Sequence, residues 1–204
     1  MIKLLLVLTL LFCGACSRVS NDAHYAQVEK HRQEQAAQPA PSATATPSPS
    51  PTASATPSPG EAAPTAPSRN YWTNFRGPRR DGKYDETGVA TNWPANGLPI
   101  LWKQPVGVGH ASFAVADGKA YTIEQRRNQE VVAAYDINTG RELWTQKWNA
   151  EYNDSTGDGP RATPTWDQGR VYALGATGEL RCLDANNGSV IWGKNILTEN
   201  QAEN

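Results

Sequence analysis

Hydrophobic and polar positions divide the chain into stretches with different periods. Residues 4–12 are a nine-residue, almost wholly apolar run behind Lys3. The run is too short to cross a bilayer as a helix, and with its positive start it has the form of an export signal, so residues 1–15 are expected to be removed rather than folded. Residues 16–38 are polar and rich in Glu, Gln, Lys and Ala; Asn21 or Asp22 can cap a short helix there, with no apolar face to dock. Residues 39–69 are rich in Pro, Ala, Ser and Thr, and hold nine of the fifteen prolines. Fixed φ and missing N–H groups leave polyproline II or coil, so this stretch is a disordered tether. Extended at about 3.1 Å per residue, it could reach roughly 90 Å.

From residue 70 onward, short apolar alternations are broken by Gly, Asn and Asp, and no stretch sustains a 3.6 period. The chain also resembles itself. Ala134-Tyr135-Asp136-Ile137-Asn138-Thr139-Gly140-Arg141-Glu142-Leu143-Trp144 matches Cys182-Leu183-Asp184-Ala185-Asn186-Asn187-Gly188-Ser189-Val190-Ile191-Trp192, a displacement of 48 residues. Upstream, Asp117-Gly118-Lys119-Ala120-Tyr121 matches Gln168-Gly169-Arg170-Val171-Tyr172. Asp136 and Asp184 are placed to cap the following turns, Gly140 and Gly188 to supply positive φ, and Trp144 and Trp192 to close the returning strand. Trp102 stands where an earlier, incomplete unit would close. The first unit is expected to place strands at 112–116, 120–124, 131–135 and 141–145, and the second at 162–166, 171–174, 180–183 and 190–194. Four strands per unit at this period predict an all-β chain: a partial β-propeller of two complete blades plus a remnant strand. A ring takes four to eight blades, so residues 70–204 are expected to be the N-terminal part of a longer propeller.

Charge removes some partners. The formal net charge is -1, and residues 70–204 carry 14 Lys and Arg against 16 Asp and Glu, which argues against nucleic acid. Of three cysteines, Cys13 falls in the signal and Cys16 ends it, so Cys182 is left without a disulfide partner and is expected to be a buried structural thiol.

Two resemblances sharpen these expectations. Cys13-Gly14-Ala15-Cys16 resembles the bacterial lipobox, which implies lipidation at Cys16 and anchoring to a membrane. Ser17 resembles the pattern of lipoproteins sent to the outer membrane, so a periplasm-facing location is implied. The repeat resembles the PQQ-binding-like β-propeller family, whose blades carry Ala-x-Asp-x-x-x-Gly-x-x-x-Trp; the second copy has Cys182 in place of Ala. Asn74-Phe75-Arg76-Gly77-Pro78 and Gly157-Asp158-Gly159-Pro160-Arg161-Ala162-Thr163-Pro164 are similar to stretches of an exported bacterial lipoprotein subgroup. The function these resemblances imply is a lipid-anchored scaffold or protein-binding module in the bacterial envelope, with another envelope protein as partner and no cofactor. The alternative is part of a quinoprotein oxidoreductase using PQQ with Ca²⁺, although this chain lacks the adjacent cysteines of that class.

Candidate chemistry is sparse, and no catalytic, cofactor-binding or metal residue is assigned. Asp154-Ser155-Thr156-Gly157-Asp158-Gly159 imitates the start of a calcium loop, but Thr165 stands at its twelfth position. His110, Glu124 and Arg161 are the ionisable groups expected at blade rims. Arg76, Arg79 and Arg80 form a small basic cluster, and Trp166-Asp167 matches a WD dipeptide without recurring.

Overall fold

A computed structural model describes residues 16–37, 71–85 and 91–203. The expected signal and the Pro-rich stretch lie outside the described residues. The elements run α1 (Cys16–Ala37), β1 (Ala114–Ala116), β2 (Lys119–Arg126), β3 (Gln129–Asp136), β4 (Glu142–Asn149), β5 (Thr165–Asp167), β6 (Arg170–Leu174), β7 (Glu179–Asp184), β8 (Val190–Asn195) and α2 (Ile196–Glu199). No described helix is long and apolar enough to cross a membrane.

The strands form two four-stranded antiparallel sheets in the orders β1-β2-β3-β4 and β5-β6-β7-β8. Each is an up-and-down meander of sequential strands, the form of a propeller blade, and the chain is a partial propeller. All eight strands fall where the repeat predicts them. β2, β3 and β4 run longer than predicted, because β2 and β3 stay paired from Lys119↔Asp136 to Arg126↔Gln129, whereas β1 is confined to Ala114–Ala116. Alternation then sorts the side chains between two faces. Tyr121, Ile123, Val132, Ala134, Trp144 and Trp148 point to the second blade and form one cluster with Val171, Ala173, Leu183 and Ala185. Val131, Ala133 and Tyr135, on the opposite face of the first blade, are also buried.

That opposite face is covered by α1. The polar composition of residues 16–38 predicts no docking face, yet Tyr25 and Val28 are buried. Tyr25, Val28 and Arg32 stand at i, i+3 and i+7 and make one stripe. Arg32 completes the dock by pairing with Glu124 at 2.9 Å and Glu142 at 3.1 Å. Two apolar residues and one arginine suffice because the rest of the contact is polar: His24 Nε2 lies 2.9 Å from the Val106 carbonyl, and Gln35 donates to Gln104 at 2.9 Å.

The segment at 71–73 joins the two blades along their first strands. Trp72 pairs with Val115 of β1 through both of its backbone groups, while the Thr73 carbonyl accepts the Trp166 N–H of β5 at 2.8 Å.

Candidate functional site

The repeated motif builds one joint twice. The Asp136 carboxylate accepts the Asn138 and Thr139 N–H groups at 3.0 and 2.8 Å and the Thr139 hydroxyl at 3.0 Å. Burial pushes this carboxyl up, but those donors outweigh it and hold it below the ordinary aspartate range. Asp184 accepts from the Asn186 and Asn187 N–H groups in the same way. Each turn then passes through a glycine with φ of +70° at Gly140 and +74° at Gly188. A register shift follows at the same place in both blades, between Ala134 and Tyr135 and between Cys182 and Leu183.

The indole of the preceding unit lies on that glycine. A Cβ on Gly188 would stand 2.5 Å from Trp144 Cε3, and one on Gly140 would stand 2.6 Å from Trp102 Cδ2. Trp144 Nε1 donates to the Ala185 carbonyl at 3.2 Å, and Trp102 Nε1 donates to the equivalent Ile137 carbonyl at 2.8 Å. Trp102 therefore does the work of a blade-closing indole although no strand forms around it. Trp192 occupies the third such position. It is 40% exposed against 9% for Trp144, and beside it Val190 and Ile191 are exposed as well. Among the described residues no glycine turn lies beneath Trp192 and no carbonyl receives its N–H. Ile100 (83% exposed) and Leu101 (81%) are exposed apolar residues at a separate place, next to Trp102 on the first blade.

A second contact between blades was not visible in the motif. Glu130 is fully buried; it accepts Trp148 Nε1 at 2.8 Å and the Ala176 N–H at 2.6 Å, tying β3 and β4 to the β6–β7 turn. Burial dominates its titration and raises its pKa, against those two N–H donors. A strand-end glutamate gives no sequence signal of this role, since its partners are a neighbouring-strand indole and a backbone amide 46 residues away.

The remaining sequence candidates do not gather into one site. Glu124 is not at a rim: it is buried within β2 on the α1 side, pairs with Arg32 and Arg126, and accepts the Gly107 N–H. His110 and Arg161 do meet the same loop. The His110 ring lies so close over Gly157 that a Cβ there would collide with Nε2, and the His110 backbone N–H donates to the Pro160 carbonyl at 2.8 Å. Arg161 lies over the Tyr152 ring at 5.2 Å and donates to Thr156 Oγ1 and the Gly157 carbonyl at 3.1 and 3.0 Å. The loop's carboxylates are engaged within it: Asp154 accepts the Thr156 N–H at 2.8 Å and the Thr156 hydroxyl, and Asp158 accepts the Asp154 N–H at 3.2 Å. The Thr156 donors hold the Asp154 carboxyl below the ordinary range. Arg79 pairs with Asp81 and Asp85. Trp166 packs edge-on to Tyr71 at 5.2 Å, inside the fold.

Cys182 is buried and free in β7, and Cys16 is the first residue of α1. Among the described residues no three His, Cys, Asp or Glu side chains are placed to hold a metal.

Residues 85–204 match a family model described as outer membrane protein assembly factor BamB. No curated protein matches the chain. Among solved structures, similar chains include quinohemoprotein alcohol dehydrogenase from Comamonas testosteroni, at 27% identity and a TM-score of 0.34 over 45% of this chain and 14% of that one. BamB from Moraxella catarrhalis is similar at 20% identity and a TM-score of 0.29, over 45% of this chain and 24% of that one. A europium-containing methanol dehydrogenase is similar at 16% identity and a TM-score of 0.33, over 43% of this chain and 16% of that one. The chain thus spans less than a quarter of the length of each of these structures.

Proposed function

The chain belongs to the family whose model is described as outer membrane protein assembly factor BamB, and from that premise we propose that it is a lipid-anchored propeller scaffold of the bacterial envelope. Lipid on Cys16 attaches it to the periplasmic side of the outer membrane, and its blades bind another envelope protein. The observation that carries this reading is the exposed apolar group of Val190, Ile191 and Trp192 on β8, the last strand of the second sheet. Such a surface suits contact with a further sheet or a protein segment, because large exposed apolar area is what interfaces desolvate.

Labelled palmitate tests the anchor: incorporation is expected into the wild type and lost in Cys16→Ser, and labelling that survives the substitution refutes lipidation there. A photo-crosslinking residue at Ile191 tests the surface in intact cells. A discrete adduct with one envelope protein is expected, whereas saturable PQQ binding in the presence of Ca²⁺, without such an adduct, would replace this reading with the quinoprotein one.

A further inference from the structure

The docking of α1 has a direction, and that direction bears on how the blades meet a lipid surface. The stretch of the helix from Asp22 to Glu29 lies at the β2–β3 turn: Arg127 pairs with Glu29 at 2.9 Å and with Asp22 at 3.4 Å, and its guanidinium lies 5.8 Å over the buried Tyr25 ring. The last turns, from Arg32 onward, lie toward the opposite end of the blade, where Arg32 Nε meets Glu142 at the start of β4 and Gln35 meets Gln104. The helix therefore runs along the strands. Its first residue leads away from the end that carries Arg127, Asn128 and the loop at 151–158, which with Asp22 and Tyr25 line one open groove. The Asp136 and Asp184 turns, at the far ends of β3 and β7, are separated from that end by the length of a strand. For the eight residues of β3 this is about 27 Å.

We propose that α1 is an orienting strut: it holds the β2–β3 turn and the 151–158 loop toward the bilayer and turns the indole joints at Gly140 and Gly188 toward the aqueous side. This rests on the lipidation of Cys16 proposed above. From Cys16 to Asp22 the helix advances only about 9 Å at roughly 1.5 Å per residue, so the backbone of its first residue stands close to the docked end. The Pro-rich stretch then connects the strut back to the blades and does not set their distance from the lipid. A tether between lipid and blades would have allowed roughly 90 Å and every orientation. Charge does not supply the orientation, because Glu151, Asp154 and Asp158 at this end offset Arg127 and Arg161 and give an anionic surface nothing to attract.

The test uses the lipidated protein on phosphatidylcholine vesicles containing nickel-chelating lipid, with a nitroxide on Ser155→Cys or on Asn138→Cys. Both positions are exposed and Cys182 is buried. Relaxation by the lipid-bound nickel is expected to be several-fold stronger at 155 than at 138. The difference should vanish in Arg32→Glu, which places a third carboxylate beside Glu124 and Glu142, and in Val28→Asp, which charges the buried stripe. Equal relaxation at the two sites in the parent protein, or a stronger effect at 138, overturns the proposal. Hydrogen exchange of the unlipidated Cys16→Ser chain separates the steps: amides at 24–35 are expected to be protected and to lose protection in Arg32→Glu. Unprotected amides there mean that α1 does not dock. Cys16→Ser protein that still binds vesicles overturns the lipid reading, and the strut with it; vesicle binding that requires Cys16 but shows no orientation overturns the strut alone.

Discussion

Gly188→Ala measures how much one indole joint holds the blades together. The substitution acts in two separable ways. An L-residue at φ +74° carries left-handed strain of about 1–2 kcal/mol, partly offset by about 0.4–1 kcal/mol from a stiffer unfolded chain. The new methyl would also stand 2.5 Å from Trp144 Cε3, so the ring must move. Overpacking of this kind costs about 1–3 kcal/mol, and loss of the Trp144 bond to the Ala185 carbonyl adds about 1 kcal/mol. Gly169→Ala is the matched control, since Gly169 has φ +78° and nothing within 4 Å of a built Cβ. The difference between the two variants isolates the joint, and we expect Gly188→Ala to be the less stable by roughly 2–4 kcal/mol. Gly140→Ala against Gly118→Ala repeats the comparison at Trp102, because Gly118 at φ +71° is equally open. Urea denaturation followed by far-ultraviolet circular dichroism gives the midpoints, and unchanged slopes allow them to be compared as stabilities. Indistinguishable midpoints within each pair would refute the claim that these indoles fasten neighbouring units.

Three further outcomes follow from the same contacts. Trp144→Ala is expected to cost about 3–5 kcal/mol in denaturant unfolding, whereas Trp192→Ala, at 40% exposure, should cost clearly less; equal losses would contradict the geometry. Glu130→Ala leaves the Trp148 and Ala176 N–H groups without their buried acceptor, at about 1–3 kcal/mol each, and a midpoint close to wild type would mean that the clamp between blades is absent. Titration should separate the two carboxylates by sign. Asp136 has a depressed folded pKa, so its contribution is present above the ordinary value of 3.8 and is lost as pH falls through the lower folded value; Glu130 has a raised one, so its contribution is present below 4.5 and is lost as pH rises through the higher folded value. Stability measured against pH should therefore show less acid loss in Asp136→Asn than in wild type, and an unchanged acid limb would refute the capping role.

The parts of the fold written in local chemistry were legible in advance. Asp136, Gly140 and Trp144 with Asp184, Gly188 and Trp192 specify a turn, its handed glycine and its closing ring within nine residues of chain; both turns carry their capping aspartate and positive-φ glycine, while Trp144 is seated on the next turn and Trp192 is exposed. Trp102 was recognisable by spacing alone. What escaped the sequence depends on partners far away along the chain. The dock of α1 rests on Tyr25, Val28 and Arg32, a stripe too thin to register as an apolar face, and Arg32 finds its carboxylates 92 and 110 residues downstream. Glu124 looked like a rim residue because β2 was expected to end there; two further ladder pairs carry the strand past it and bury it. Glu130 carries no mark at all until Ala176 is brought against it. The ionisable candidates failed as a site for the same reason, since alternation along β2 sends Glu124 to the α1 side while His110 and Arg161 stay with the 151–158 loop.

The small stitch at residues 72 and 73 bears on how such a chain acquires its shape. Thr73 waits for Trp166, 93 residues later, before its carbonyl is satisfied, so this segment is among the last of the two sheets to settle. During synthesis the first meander can form alone, but its inner margin stays loose until β5 has emerged. Pairings of this sequence separation are slow to close, and they favour all-or-none assembly over blade-by-blade accretion. Residues 71–73 therefore behave like a drawstring, and cutting the chain just before β5 should loosen the first sheet as well as remove the second.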